Sequence, residues 1–144
     1  MLALAEEDLD KLREAYRALA GPEGMAALLP FMDPDIEYVN PDNAIDSGTR
    51  LGHDGMRQVV RSLDGAFAEY THELHELVDA GDKVLAYTTF KACGRDSGAW
   101  VEVPEQHVWT LRDGKIVRLE WYHDEAAARR AAGLSATSAR RRVD

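Results

Sequence analysis

Three observations predict an α+β domain with helices packed on one face of a curved sheet. Helical periodicity fills the first half of the chain, period-two alternation takes over after Tyr70, and a short Ala-rich helix follows the last strand. Helices and strands are thus segregated rather than alternating, and the strands join through short turns. That order suits an antiparallel meander.

The elements follow from local signals. Leu9, Leu12, Tyr16 and Leu19 recur at steps of three and four, so residues 6–20 form an amphipathic helix. Gly21-Pro22-Glu23-Gly24 stops it, and a short second helix runs from Met25 to Phe31. Pro34 imposes extension, and Ile36-Glu37-Tyr38-Val39-Asn40 alternates as a strand that ends at Pro41. Met56, Val60, Leu63, Phe67 and Tyr70 give a long helix after Gly52, weakened by Gly65. Strands are expected over residues 72–79, 83–93, 99–111 and 115–123. They are separated by Ala80-Gly81-Asp82, by residues 94–98 and by Asp113-Gly114. Asp124 caps the final helix.

The last hairpin assigns faces. A two-residue Asp-Gly turn pairs Trp109 with Arg118 and His107 with Glu120, which mixes apolar and charged groups. A three-residue loop, Arg112-Asp113-Gly114 with a Gly114 bulge, instead pairs Trp109 with Val117, His107 with Leu119, Glu105 with Trp121 and Val103 with His123. Register follows such sorting, so the bulged version is expected. It puts Glu105, His107 and His123 on an otherwise apolar inner face beside two tryptophans. Gln106, Thr110, Arg118 and Glu120 fall on the outer face, toward solvent or a partner subunit.

Composition bounds the function. The 144 residues suit one domain, and a net charge of −9 argues against nucleic acid, which needs a basic face. Five arginines after residue 125 (Arg129, Arg130, Arg140, Arg141 and Arg142) make the end of the chain basic, and a solvated, flexible tail over residues 134–144 is expected. The lone Cys93 permits no internal disulfide and points to a reduced, cytoplasmic setting. The opening MLALAEEDLD lacks the features of a secretion signal, and the longest apolar run, eight residues, cannot span a membrane. Phosphate-binding loops, Ser nucleophile elbows and zinc-ligand spacings are missing. His72 and His75 in a strand face opposite ways, so no metal site is expected there, and no cofactor is expected.

The stretch His107-Val108-Trp109-Thr110-Leu111-Arg112-Asp113-Gly114-Lys115-Ile116-Val117-Arg118, then Trp121-Tyr122-His123-Asp124, resembles the nuclear transport factor 2-like superfamily, in particular its SnoaL-like polyketide-cyclase branch. The resemblance implies one SnoaL-like domain over residues 1–133. It also implies a cone-shaped sheet with three N-terminal helices on its concave face, an apolar pocket, and a homodimer through the outer sheet face. Tyr38-Val39-Asn40 is similar to the water-holding Tyr-x-Asn of limonene-epoxide hydrolases, but Phe90, Ala92 and Trp121 stand where those enzymes carry their Arg and two Asp residues. Asn40 stands where ketosteroid isomerases place a general-base Asp, and His107 falls near their acidic oxyanion donor. SnoaL-type cyclases keep their acid–base Asp near Trp121. None of the three catalytic sets is intact.

Two alternatives remain at the level of the residues. In the first, a cofactor-free enzyme acts on a small hydrophobic polyketide-, terpenoid- or steroid-like molecule. His107 is its acid, base or carbonyl polariser, Glu105 orients His107, and Tyr38 with Asn40 position the ligand. Tyr16, Phe90, Trp109, Trp121 and His123 then line the pocket. In the second, the same fold only binds a ligand or assembles through its outer face.

Overall fold

The computed structural model describes residues 6–40 and 48–135. The expected tail therefore lies, from residue 136 onward, outside the described residues, as does Pro41. The chain runs α1 (Glu6–Leu19), a 3₁₀ segment (Gly24–Phe31), β1 (Met32–Asn40), β2 (Gly48–Leu51), α2 (Gly52–Ala66), β3 (Phe67–Asp79), β4 (Lys83–Gly94), β5 (Trp100–Arg112), β6 (Lys115–Tyr122) and α3 (Glu125–Ala131). The strands form one sheet in the order β2-β1-β6-β5-β4-β3. Every joint is antiparallel except β1–β6, which is parallel.

The helices before β3 cover one face of this sheet. Leu12, Ala15, Tyr16 and Leu19 of α1, Met25 and Leu28 of the 3₁₀ segment, and Met56 and Val59 of α2 share one buried cluster with Val84, Ala86, Trp109, Leu119 and Trp121. The opposite face carries a second, smaller cluster, where Leu85 and Val108 meet Ala128 and Ala132 at α3. The Asp124 carboxylate accepts the Ala126 N–H at 3.0 Å and so caps α3, as expected. The outer face is more covered than the sequence reading supposed. Gln106 and Glu120 are buried there, and Glu120 accepts from the Tyr122 hydroxyl at 2.7 Å while its other oxygen pairs with Arg118 at 3.2 Å.

Four local expectations are corrected. The second helix is wound as 3₁₀, in keeping with Pro30, which has no N–H to give an α-helical bond. The four-residue β2, too short to show alternation, pairs with residues 37–40 of β1. The long helix ends at Ala66 instead of reaching Tyr70. A register shift between Phe67 and Glu69 lets Phe67 and Tyr70, three apart, both meet Phe90, with ring centroids 5.4 and 6.3 Å away. That spacing imitates a helical step.

The last hairpin is the fourth correction. It turns through two residues, Asp113 at φ 53° and Gly114 at φ 76°, with Arg112 opposite Lys115. Paired positive φ values match the twist of the flanking strands. A bulge on β6 after Ile116 then sets Trp109 opposite Leu119 and His107 opposite Trp121. The polar–apolar sorting is kept, but by a tight turn plus a bulge rather than by a longer loop. Val103, expected on the inner face, is exposed where β5 runs past the core.

The turn makes a direct prediction. Gly114→Ala forces a Cβ into left-handed backbone, 2.9 Å from the Lys11 ammonium, and is expected to cost about 1–2 kcal/mol. Urea unfolding measures this, and a loss below about 0.3 kcal/mol would contradict the tight-turn register.

Candidate active site

Alternation on β5 turns Glu105, His107 and Trp109 inward, and α1 lays Tyr16 across them. The Trp109 indole N–H donates to the Tyr16 oxygen at 2.9 Å, and that hydroxyl lies 2.6 Å from His107 Nδ1. His107 Nε2 is 3.0 Å from Glu105 Oε1, and His123 Nε2 is 3.1 Å from Glu105 Oε2. The indole can only donate and the carboxylate can only accept. With His107 neutral, the proton order is fixed: Trp109 to Tyr16, Tyr16 to His107 Nδ1, and His107 Nε2–H to Glu105. One chain of hydrogen bonds therefore joins α1 to three positions of β5 and to the end of β6.

Burial decides the charges. It alone would raise the Glu105 carboxyl, but hydrogen bonds from His107 and His123, with the electrostatic influence of His107 and His72, pull it down to about 2. His107 is fully enclosed, and burial lowers its pKa despite the hydrogen bond and charge of Glu105, so its imidazole is neutral. Burial likewise raises the Tyr16 phenol well above its usual range, which keeps it a hydrogen-bond donor. His123, half-exposed, is raised by its hydrogen bond to Glu105.

A third imidazole belongs to the cluster. His72 of β3 lies opposite Phe90, is 5% exposed, and places Nε2 3.6 Å from Glu105 Oε1. Burial, with His107 beside it, lowers its pKa to about 3. Its Nδ1 has no hydrogen-bond partner among the described residues. Spacing alone sets His72 beside His75 and does not show this role. Its inward parity, opposite to that of the exposed His75, was the available signal.

Aromatic rings enclose the cluster. Trp121 stands edge-on to His107 with centroids 3.7 Å apart, and Tyr38 packs against Trp121 at 5.8 Å. Phe90 lies 4.9 Å from His72. The structure thus brings together Tyr16, Tyr38, Phe90, Glu105, His107, Trp109, Trp121 and His123. Asn40 ends β1 two residues beyond Tyr38 and is half-buried. A cleft of about 540 Å³ between α1 and β3 reaches the cluster at Tyr16 and His72, with Ala20 and Leu74 as apolar lining and Arg13, Arg17 and Lys91 at its rim. A larger cleft of about 780 Å³ adjoins it at Ala20 and Thr71 but runs away from Glu105, toward Arg95 and Trp100.

Comparison with known proteins agrees with this architecture. The SnoaL-like domain family matches residues 12–119, three quarters of the chain. The chain belongs to the SnoaL-like family. No curated protein sequence matches it. Among solved structures, an NTF2-like protein of unknown function from Burkholderia pseudomallei is 23% identical, with 88% of this chain and 97% of that one covered at a TM-score of 0.74. TerC, co-crystallised with polyporic acid, is 24% identical over 88% and 98% of the two chains, with a TM-score of 0.72. A SnoaL-like polyketide cyclase candidate from Jannaschia is 16% identical over 88% and 91%, with a TM-score of 0.70. At these identities the SnoaL-like chain shares the fold with them. No helix among its described residues is long and apolar enough to cross a membrane.

Two measurements follow from the cluster. Tyr16→Phe leaves both Trp109 Nε1 and His107 Nδ1 buried without a partner, which is expected to cost about 2–4 kcal/mol in denaturant unfolding. A cost near zero would mean that the hydroxyl does not join them. The second is a pH profile. His72 and His107 are neutral when folded and bind protons when unfolded below about pH 6.5, so the unfolded state gains protons and stability falls on acidification. His123 opposes this in part, since its contribution is full at low pH and is lost as pH rises through its raised pKa. Glu105 contributes above its ordinary range near 4.5 and loses that contribution only as pH falls toward about 2. The melting temperature is expected to drop by several degrees from pH 7 to 5, with about 2 kcal/mol from His72 alone, and His72→Phe should shrink the drop. An unchanged drop in His72→Phe would contradict a buried neutral imidazole.

Proposed function

We propose that this SnoaL-like chain binds a small, largely apolar molecule and acts on it by acid–base chemistry at the Glu105–His107 pair. The observation that carries the reading is the buried relay from Trp109 through Tyr16 and His107 to Glu105, an ordered path for one proton inside an apolar shell. His107 is the acid, base or carbonyl polariser, and Glu105 orients its ring and stabilises the imidazolium formed when it takes a proton. Tyr38 and Asn40 position the ligand between the aromatic walls. The α1–β3 cleft, which meets the relay at Tyr16, offers the way in. Polyketide-, terpenoid- or steroid-like carbonyl compounds suit this site, and TerC, which shares the fold, was co-crystallised with polyporic acid, in keeping with a small organic ligand. The reading includes a cytoplasmic protein with a reduced Cys93 and a homodimer through the outer sheet face.

A second reading, binding without turnover, is favoured by Trp121 and Phe90. Their rings occupy the space over His107 and His72 in which a reacting atom would sit.

A thermal-shift screen against aromatic polyketides, terpenoid alcohols and small steroids tests both. A ligand at about 100 times its Kd adds roughly 2.7 kcal/mol. With a hit in hand, His107→Gln is expected to bind nearly as well while turnover falls by about 10²–10⁴-fold. Unchanged turnover would remove His107 from the chemistry, and no product after long incubation with wild type would establish the binding reading.

A further inference from the structure

Three of the five histidines in this sequence converge on one carboxylate. His107 and His123 already bring one ring nitrogen to each oxygen of Glu105. His72 is then surplus. It makes no hydrogen bond among the described residues, yet it is buried against Phe90 and Trp121, 4.9 and 5.1 Å from their rings. An imidazole whose Nδ1 is buried without a partner and whose Nε2 only approaches Glu105 Oε1, at 3.6 Å, is costly in such a place, and leucine or phenylalanine would fill it without that cost.

The geometry points to a divalent transition-metal site formed by His72 Nε2, His107 Nε2 and a Glu105 carboxylate oxygen. One ligand atom from each of these residues falls within a 4.8 Å group, all three residues being buried. A metal–ligand bond near 2.1 Å in tetrahedral arrangement sets neighbouring ligand atoms about 3.4 Å apart. Glu105 Oε1 lies 3.0 Å from His107 Nε2 and 3.6 Å from His72 Nε2, on either side of that value. Two imidazoles and one carboxylate suit zinc, cobalt or iron(II), and leave a position open on the ion.

The surroundings are already those of such a site. A metal-bound histidine ordinarily gives its other N–H to an oxygen, and His107 Nδ1 faces the Tyr16 oxygen at 2.6 Å. Loading would move the His107 proton from Nε2 to Nδ1, with Tyr16 changing from donor to acceptor toward it. His123 continues to hold the second Glu105 oxygen. His72 also borders the α1–β3 cleft, which gives the ion a route from solvent.

This inference goes beyond the acid–base reading and does not rest on it. It describes a second, loaded state in which His107 Nε2 is committed to the ion and Nδ1 carries the proton, so metal suppresses any turnover that depends on His107 as a base. The test reads bound metal rather than activity, and failure of one reading leaves the other standing. Chelator-stripped protein is titrated with Co²⁺ and followed by visible absorption and calorimetry. One ion per chain with a tetrahedral or five-coordinate spectrum is expected. His72→Leu should weaken binding at least about tenfold, and the surface control His75→Ala should leave it unchanged. No binding in wild type, or binding that survives His72→Leu but not His75→Ala, overturns the site. Should His72→Leu fail to fold, X-ray absorption on cobalt-loaded wild type decides. Two imidazoles and a carboxylate support the site, and an oxygen-only shell overturns it.

Discussion

An ionised carboxylate inside an apolar shell is the constraint around which this domain is arranged. Burial pushes Glu105 toward its neutral form, and the hydrogen bonds and electrostatic influence of the histidines around it hold it charged. The hydrogen-bond donors come from β5 itself and from the end of β6, while the ring of His107 is in turn held by a hydroxyl on α1. The alignment of the first helix on the sheet, the pairing of β5 with β6 and the charge of Glu105 are therefore one coupled problem. Moving α1 by an ångström would leave an indole N–H and an imidazole nitrogen buried without partners.

The tight Asp113-Gly114 turn and the bulge after Ile116 make sense in these terms. A regular two-residue hairpin would put Arg118 opposite Trp109 and Glu120 opposite His107, sending charge into the core. The bulge moves β6 by one residue, so that Leu119 and Trp121 face inward while Arg118 and Glu120 pair on the other side, with Glu37 joining through Arg118. Sorting of side chains outweighs regularity of the ladder.

The same physics explains what could be read in advance. The α+β class, the order of the main elements and the inward placement of Glu105, His107, Trp109 and Trp121 followed from periodicity, because period two is preserved along most of each strand. The misreadings cluster at bulges. Phe67 and Tyr70 share a neighbour across a register shift and so imitated a helix, and Ile116 and Leu119 share a face across another. A bulge adds one residue without a local signature, so its position depends on partners distant in sequence. His72 was missed for a related reason. Its role exists only once β3 is placed beside β4 and across from Glu105, a proximity between residues 33 apart in sequence.

The most direct test of the Glu105-centred cluster is ¹⁵N NMR of the imidazole nitrogens across pH 5–8 in metal-free protein. The structure predicts a His107 that is neutral at pH 7 with its proton on Nε2 and titrates below an ordinary histidine, a His72 neutral throughout the range, and a His123 that stays protonated to higher pH than an ordinary histidine. A His107 that titrates as an ordinary histidine, or carries its single proton on Nδ1 in the metal-free state, would contradict the arrangement.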